Sequence, residues 1–495
     1  MTEPRLLIAN RGEIAVRIMR SWHGESVAVA PADDATSLHA RRADRLVELP
    51  GNGVAAYLDS GAVLAAAADT GTTHLHPGYG FLAEDATFAA ACADADITFV
   101  GPSAEAMQRL GDKVAARALA LEIGVPVAEG TDGAVAAEEA LAFATTLGRP
   151  VMVKAAGGGG GRGMAEVHDL AELTDAVERC ASEAERGFGD ARVFVEELLH
   201  PARHVEVQVL GDGTSAVVLG DRDCSLQRRR QKIVELAPAD VTHTVRDELH
   251  RHSIALAEAV GYRSLCTFEF LVGTDDRVVF IEANTRVQVE HTITEELTGL
   301  DLVALQFAVA DGATLEDLGL TDTVAPRPRH RSVQVRVNAE RLDADGAVLP
   351  ASGTVERFTT PSGPGIRVET SVATGDRVSG RYDPMIAKLV VTAPEEQIDR
   401  RLGQALAETT VDGVDTNLDF VTHLLDRFGV ADTSFHTTFV EAHASELLAT
   451  MPERDRSTTP AGARLVGGAG CRPRSANVVG RSTLPTRRSR SRRNC

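Results

Sequence analysis

Lysine is the residue this sequence comes closest to doing without. Of its 51 basic residues only Lys113, Lys154, Lys232 and Lys388 are lysine. Where arginine is so strongly favoured, a retained lysine marks a place that needs a compact point charge, not a planar fork. Long uninterrupted apolar runs are missing too, which excludes a membrane span. The first twenty residues, Met1 to Arg20, lack a basic region ahead of an apolar core and a cleavage site. They read as a strand running into a helix, not a signal peptide. The six cysteines, at 92, 180, 224, 266, 471 and 495, show no CxxC spacing. That excludes a zinc site or disulfide frame and gives the expectation of reduced thiols in a cytoplasm. No GxxxxGK[ST] string occurs, so a Walker-type phosphate loop is excluded. The net charge of −20 argues against non-specific nucleic-acid binding. What is present, 43% hydrophobic and 25% charged residues, is the make-up of a soluble globular protein. The 495 residues are enough for about two to four domains.

The most informative stretch runs from Cys266 to His291. Thr267–Val272 has a strand pattern, Gly273-Thr274-Asp275-Asp276 a polar turn, and Val278–Ile281 a second apolar run. These make a β-hairpin. A turn centred on Asp275-Asp276 sets Glu269 directly opposite Glu282, and like charges so placed repel. A divalent cation is the natural group to offset that repulsion. Beyond the hairpin, Glu282, Asn284, Arg286, Gln288 and Glu290 share one parity, while Ile281, Ala283, Val287 and Val289 take the other. In an extended chain the first set lines one face with carboxylates, amides and a guanidinium, the floor of a site.

The rest of the chain supplies the surroundings. Strand and helix patterns alternate over residues 1–112, starting with Leu6–Ala9 and a helix from Ile14 to Arg20, as in a doubly wound α/β domain. The Asn10-Arg11-Gly12 turn falls at a strand end where such folds place ligands. His74-Leu75-His76-Pro77-Gly78-Tyr79-Gly80 reads as a structural turn, not a metal site. From about 127 to 198 a smaller unit follows, with a helix over Ala136–Leu147, a strand ending at Lys154, and a loop holding Gly157, Gly158, Gly159, Gly160 and Gly161 before Arg162-Gly163-Met164. Consecutive glycines let backbone N–H groups approach phosphate oxygens closely. Arg203–Val209 alternates, with its polar groups on one face. Asp221–Lys232 is strongly basic; in so acidic a chain it is aimed at bound phosphate or a buried carboxylate.

Taken together, LIANRGEIAVRI, HPGYGFLAE, GDK, VKAAGGGGGRGM, RHVEVQVLGD, RDCSLQRRRQK, FEF, IEANTRVQVEHTITEELTG, VRVNAE and YDPMIAKL, in this order over about residues 5–440, resemble biotin carboxylase, the ATP-grasp component of biotin-dependent carboxylases. The resemblance implies a mixed α/β and α+β fold. It gives an N-terminal doubly wound domain over 1–112, an ATP-grasp core over 113–312 with a mobile lid at about 127–198, and a C-terminal mixed domain over 328–445. It implies ATP- and bicarbonate-dependent carboxylation of biotin through carboxyphosphate, as the biotin carboxylase component of an acetyl-CoA or propionyl-CoA carboxylase in fatty acid biosynthesis. Lys113, Lys154, the glycines 158–161, Glu196, Leu199, His204 and Gln227 match the nucleotide-binding positions. Glu269, Glu282 and Asn284 match the ligands for Mg2+ or Mn2+. Glu290 matches the base, Arg286, Gln288 and Val289 the bicarbonate pocket, Lys232 a lysine near the transferred phosphate, and Arg336 the group that stabilises the biotin enolate. The implied partners are a biotin carboxyl carrier protein, a carboxyltransferase subunit and a second copy in a homodimer, with neither nucleic acid nor membrane.

The chain also departs from the family's pattern. Arg230 replaces a usual His or aromatic residue, Leu236 a usual Glu and Thr292 a usual Pro, and the Ser21–Ser26 segment is short. Arg17 and Arg20 match dimer-interface positions. Residues 461–495 hold nine arginines and no acidic residue, so 446–495 reads as a disordered tail of unselected sequence. No lysine follows Lys388, so the carrier is expected on another polypeptide. Two other readings stand beside this one: a carboxylate–amine ligase on the same ATP-grasp fold, and an inactive pseudo-subunit.

Overall fold

A computed structural model describes residues 4–157, 163–324, 327, 329–343, 347–431 and 434–451. The glycines at 158–161 lie outside the described residues, as does the tail from 452. Residues 446–450 close a helix, Phe439–Thr450.

The first sheet is parallel, with β1 (Arg5–Ile8), β2 (Glu25–Pro31), β3 (Arg45–Leu49), β4 (His74–His76) and β5 (Thr98–Phe99) in the order β3-β2-β1-β4-β5. The order reverses between β1 and β4, the crevice where doubly wound folds bind ligands. Asn10 Nδ2 donates to the carbonyls of Pro77 at 2.6 Å and Tyr79 at 2.8 Å. These hydrogen bonds tie the Asn10-Arg11-Gly12 turn to the loop after β4. A side chain at Gly12 would meet Ser371 at 3.5 Å. His74 and His76 sit in β4, with the turn only after them, and His76 Nδ1 accepts the Gly78 N–H at 3.0 Å.

The smaller unit is an antiparallel sheet of β6 (Val151–Ala155), β7 (Met164–Val167) and β8 (Val193–Glu197), ordered β7-β6-β8. It has its own core: Val151, Val153 and Val195 pack on Ala140 and Ala144 of one helix and Leu173, Ala176 and Cys180 of another. The third sheet has eight strands. β13 (Val278–Asn284), β12 (Arg263–Gly273), β9 (Ala202–Asp212), β10 (Ala216–Arg228), β11 (Gln231–Ala237) and β14 (His330–Asn338) are continued by Met385–Pro394 and Ile366–Thr370. Because β11 pairs with β14, this sheet runs unbroken from the ATP-grasp core into the C-terminal region. Leu236 fits that continuity: it faces Val333 across the pair and is buried in the apolar cluster beneath. Thr292 donates to Gln334 Oε1 at 2.7 Å. Arg17 reaches Glu295 and Asp301 at 2.7 Å, and Arg20 reaches Glu369 at 2.5 Å, all within the chain. Among the described residues no helix is long and apolar enough to cross a membrane.

Candidate active site

The β12–β13 hairpin sets Glu269 opposite Glu282, by a route that differs from the expected one. Nearest the turn the pairs are Val272 with Val278 and Phe270 with Phe280, one residue out of step with a turn centred on Asp275-Asp276. A bulge then leaves Ile281 without a partner and restores the pairing of the two glutamates. Such an extra residue re-aims the side chains beyond it.

The same register extends across the sheet. Arg222 on β10 faces Glu206 on β9, Glu206 faces Glu269 on β12, and Glu269 faces Glu282 on β13. A row of three glutamates is strongly self-repelling, and side-chain cations balance it. Lys232 Nζ lies 2.6 Å from Glu206, 3.0 Å from Glu269 and 2.7 Å from Glu290. His204 Nε2 lies 2.6 Å from Glu269, and Lys113 Nζ 2.8 Å from Glu282. Arg222 is completely buried and donates to Glu206, to Gln208 and Thr294 at 2.9 Å, to Gln288 at 2.8 Å and to Thr267 at 3.2 Å. The basic run thus ends largely on buried carboxylates, Arg228 pairing with Glu340 as well.

Local structure explains how the other groups arrive. Asp112 caps the helix Lys113–Glu122, its Oδ1 accepting the N–H groups of Val114 and Ala115 at 2.9 Å. That cap fixes Lys113 at the first helical position. Lys154 and Glu196 are diagonal neighbours on β6 and β8, since Met152 pairs with Glu196, and the two side chains meet. Beyond Asn284 the chain is not a strand: it runs irregularly to Glu290, the N-cap of helix His291–Thr298. Side-chain hydrogen bonds, not strand alternation, turn this segment inward. Glu269 Oε1 accepts from Asn284 and Gln288 at 2.9 Å, and Arg286 donates to Glu84 at 3.0 Å and to Asn284 Oδ1 at 2.9 Å. Lys388 Nζ donates to the Val289 carbonyl at 2.6 Å and lies 3.1 Å from Glu13. Gln227 Nε2 meets His204 Nδ1 at 2.6 Å. Arg336 spans Glu235 at 2.5 Å and Glu290 at 3.0 Å.

These groups converge on one cavity of about 880 Å³. It is lined by Lys113, Lys154, Glu196, Leu199, His204, Gln227, Lys232, Glu269, Glu282, Asn284, Arg286, Gln288, Val289, Glu290 and Arg336, which are all the sequence-derived candidates outside the glycine run. Sequence reasoning missed Glu206, Arg222, Glu235 and Glu84, the partners that hold this set in place.

Electrostatics follow from the packing. Burial alone would raise the Glu290 carboxyl, but Lys232, Arg336 and Arg222 outweigh it and hold it below the usual carboxylate range. Glu269 is likewise pulled well down, burial being overcome by Lys232 and His204. Burial opposes the charge of Lys232, yet the surrounding carboxylates push its pKa well above that of an ordinary lysine. Glu269, Glu282 and Asn284 offer oxygen donors on the cavity wall, the ligand chemistry Mg2+ takes.

Residues 2–107 match the family described as biotin carboxylase, N-terminal domain. Residues 112–318 match the ATP-binding domain of the carbamoyl-phosphate synthase L chain, and residues 334–442 the biotin carboxylase C-terminal domain. A biotin-dependent acyl-coenzyme A carboxylase alpha3 subunit of Mycobacterium leprae is 44% identical over 84% of this chain and 70% of its own length. A pyruvate carboxylase of Aspergillus niger is 43% identical over 92% of this chain, which spans only 39% of that relative. Among solved structures, the biotin carboxylase domain dimer of Hydrogenobacter thermophilus 2-oxoglutarate carboxylase, in complex with MgADP, ADP and bicarbonate, superposes with a TM-score of 0.85 at 35% identity, covering 90% of this chain and 99% of that one.

Proposed function

The chain belongs to the biotin carboxylase family of ATP-dependent ligases, and from that we propose that it carboxylates biotin held on a carrier protein, using ATP and bicarbonate. The observation that supports this most is the joining of Glu290 to both Lys232 and Arg336 on the wall of one cavity. A base, a cation for the transferred phosphate and a cation for an enolate thus stand side by side.

In the proposed sequence Arg286 and Gln288 hold bicarbonate beside Val289, a guanidinium suiting a planar oxyanion. Glu290 takes its proton. The freed oxygen attacks the γ-phosphorus, the bond to the β-phosphate oxygen breaks, and ADP leaves. Lys113, Lys154 and Lys232 meet the phosphoryl charge, while Glu196, Leu199, His204 and Gln227 seat the rest of the nucleotide. Glu269, Glu282 and Asn284 would hold Mg2+, which when bound supplies positive charge to the phosphates. Carboxyphosphate then yields CO2 and phosphate. The phosphate accepts the biotin N1 proton, Arg336 stabilises the enolate, and N1 bonds to CO2. Excluding water keeps carboxyphosphate from hydrolysis.

We further propose an acyl-CoA carboxylase setting, with a carboxyltransferase and carrier as partners and a homodimer as the assembly; the Mycobacterium leprae relative supports the acyl-CoA assignment.

The deciding assay combines purified protein, ATP, Mg2+, bicarbonate and free biotin. ADP release that needs bicarbonate and is stimulated by biotin is expected. Release indifferent to both would point to an amine ligase, and no release to a pseudo-subunit. A second measurement tests the metal ligands. Glu282→Gln should weaken Mn2+ binding to the ADP complex at least about ten-fold, as titrated by electron paramagnetic resonance; unchanged affinity would remove Glu282 from the ligand set.

A further inference from the structure

Three of the four lysines line the cavity; Lys388 does not, and its side chain is the most deeply buried of the four. It lies within strand Met385–Pro394, between Ala387 and Leu389. Across the sheet it faces Arg336 on β14 and, on the other side, Glu369. Directly opposed residues share a face, so Lys388 and Arg336 set two cations side by side in the interior, where they repel. Packing alone would fill such a position with an apolar residue. Glu369 is taken up by Arg20 and Arg367. The charge of Lys388 is offset instead from the N-terminal domain. Glu13 Oε1, on helix Gly12–Ser21, lies 3.1 Å from Nζ and accepts the Tyr79 hydroxyl at 2.5 Å.

What the ammonium reaches is the segment ahead of helix His291–Thr298. Its Nζ donates to the Val289 carbonyl at 2.6 Å, while Arg336 on the neighbouring strand holds the carboxylate of the next residue, Glu290, at 3.0 Å. Two adjacent strands thus grip two consecutive residues, one by its backbone and one by its side chain. One residue earlier, His291 Nδ1 donates to the Gln288 carbonyl at 2.7 Å. A planar trans peptide aims its N–H opposite to its carbonyl. These two bonds therefore fix the N–H directions of Val289 and Glu290, and both residues line the cavity.

We propose that Lys388 is a positioning residue for bicarbonate and its base: by holding the Val289 carbonyl it fixes the peptide that joins Val289 to Glu290. It acts from behind the cavity wall and touches no reactant. The proposal rests on the reading of this cavity as the place where bicarbonate is deprotonated. It also gives the fourth retained lysine a use that needs a compact, fully buried donor.

The test is Lys388→Met on the full chain, which keeps most of the side-chain length and removes the donor. The KM for bicarbonate should rise and kcat fall, each about ten-fold, as for a small misplacement of the reacting groups, with the KM for ATP and the calorimetric MgADP affinity within about two-fold. Isotope-labelled bicarbonate titrated into the MgADP complex and followed by NMR should bind about ten-fold more weakly, the loss of one charge-assisted hydrogen bond. Because Lys388 also balances Glu13, Lys388→Met combined with Glu13→Gln separates charge from position. Denaturant unfolding should show stability recovered in the double variant, since removing both members of a buried pair costs less than removing one; its kcat/KM for bicarbonate should stay low. Should Lys388→Met alone not fold, the double variant carries the comparison. Wild-type bicarbonate kinetics and binding in a folded variant, recovery of kcat/KM in the double variant, or an equal loss toward ATP would each overturn the role of Lys388. Wild-type protein that binds bicarbonate beside MgADP but turns over nothing would sink the proposed function alone, since the NMR comparison would still decide that role.

Discussion

Glu290→Gln should abolish biotin-dependent turnover while leaving MgADP affinity within about two-fold. The substitution keeps size and shape, but Lys232 and Arg336 now bond separate carboxylate oxygens at 2.7 and 3.0 Å, so the single amide oxygen accepts from only one of them and the NH2 group faces the other. The capacity to take a proton is removed, together with the negative charge and one acceptor. Loss of a general base costs about 10²- to 10⁴-fold in rate. The nucleotide residues Lys154, Glu196 and Leu199 lie on another sheet or its edge, and none is hydrogen-bonded to Glu290. Steady-state carboxylation of free biotin beside calorimetry of MgADP checks both halves; undiminished turnover would remove Glu290 from the mechanism. A pH consequence accompanies it. Lys232, Arg336 and Arg222 overcome burial and hold the Glu290 carboxyl below its usual range. Its ionised form is therefore complete well below neutrality, and it contributes no acid limb to the kcat/KM profile for bicarbonate above about pH 5. The same depression makes the folded-state pairing a source of stability. That stability is present above the unfolded carboxylate pKa of about 4.3 and is lost as pH falls through the lower folded value.

The parts of this site that could be read from the sequence are those whose logic is local. Period-two alternation marked the hairpin, and the opposed glutamates followed from one turn. Even there two errors cancelled: the pairing next to the turn is one residue out of step with the expected one, and the bulge at Ile281 brings Glu282 back into register with Glu269. The alternation from Asn284 to Glu290 pointed to the right side chains for the wrong reason, because hydrogen bonds to Glu269 and Glu84 orient an irregular segment. Glu206 and Arg222 were out of reach because strand order is not a local property. Nothing near Glu206 announces that β9 lies between β10 and β12. The one available signal was the even parity of His204, Glu206 and Gln208 in an otherwise apolar strand. Likewise, the β11–β14 pairing that delivers Glu235 to Arg336 joins segments about a hundred residues apart.

Arg222→Met should be the most destabilising single change at this site, by about 3–5 kcal/mol, because it leaves a buried carboxylate with less compensation. Arg222 is wholly inaccessible, and five side chains from two strands, one helix and the 285–290 segment depend on its guanidinium: Glu206, Gln208, Thr267, Thr294 and Gln288. Methionine fills much of the volume but offers no donor. Glu206 would then rely on Lys232 alone, drawing that lysine away from Glu269 and Glu290. Gln288 would lose the bond that fixes its carbonyl, so the bicarbonate pocket should loosen and the KM for bicarbonate rise. Denaturant unfolding would measure the first effect and kinetics the second. Neutralising the stranded acid separates charge from packing. If the uncompensated charge dominates, Arg222→Met combined with Glu206→Gln should recover a substantial share of the lost stability, since removing both members of a buried pair costs less than removing one. It should not recover the KM, because Gln288 still lacks its donor. A double variant no more stable than the single one would mean that Arg222 acts through the hydrogen bonds it makes to neutral groups, and that the glutamate row tolerates its own charge without it.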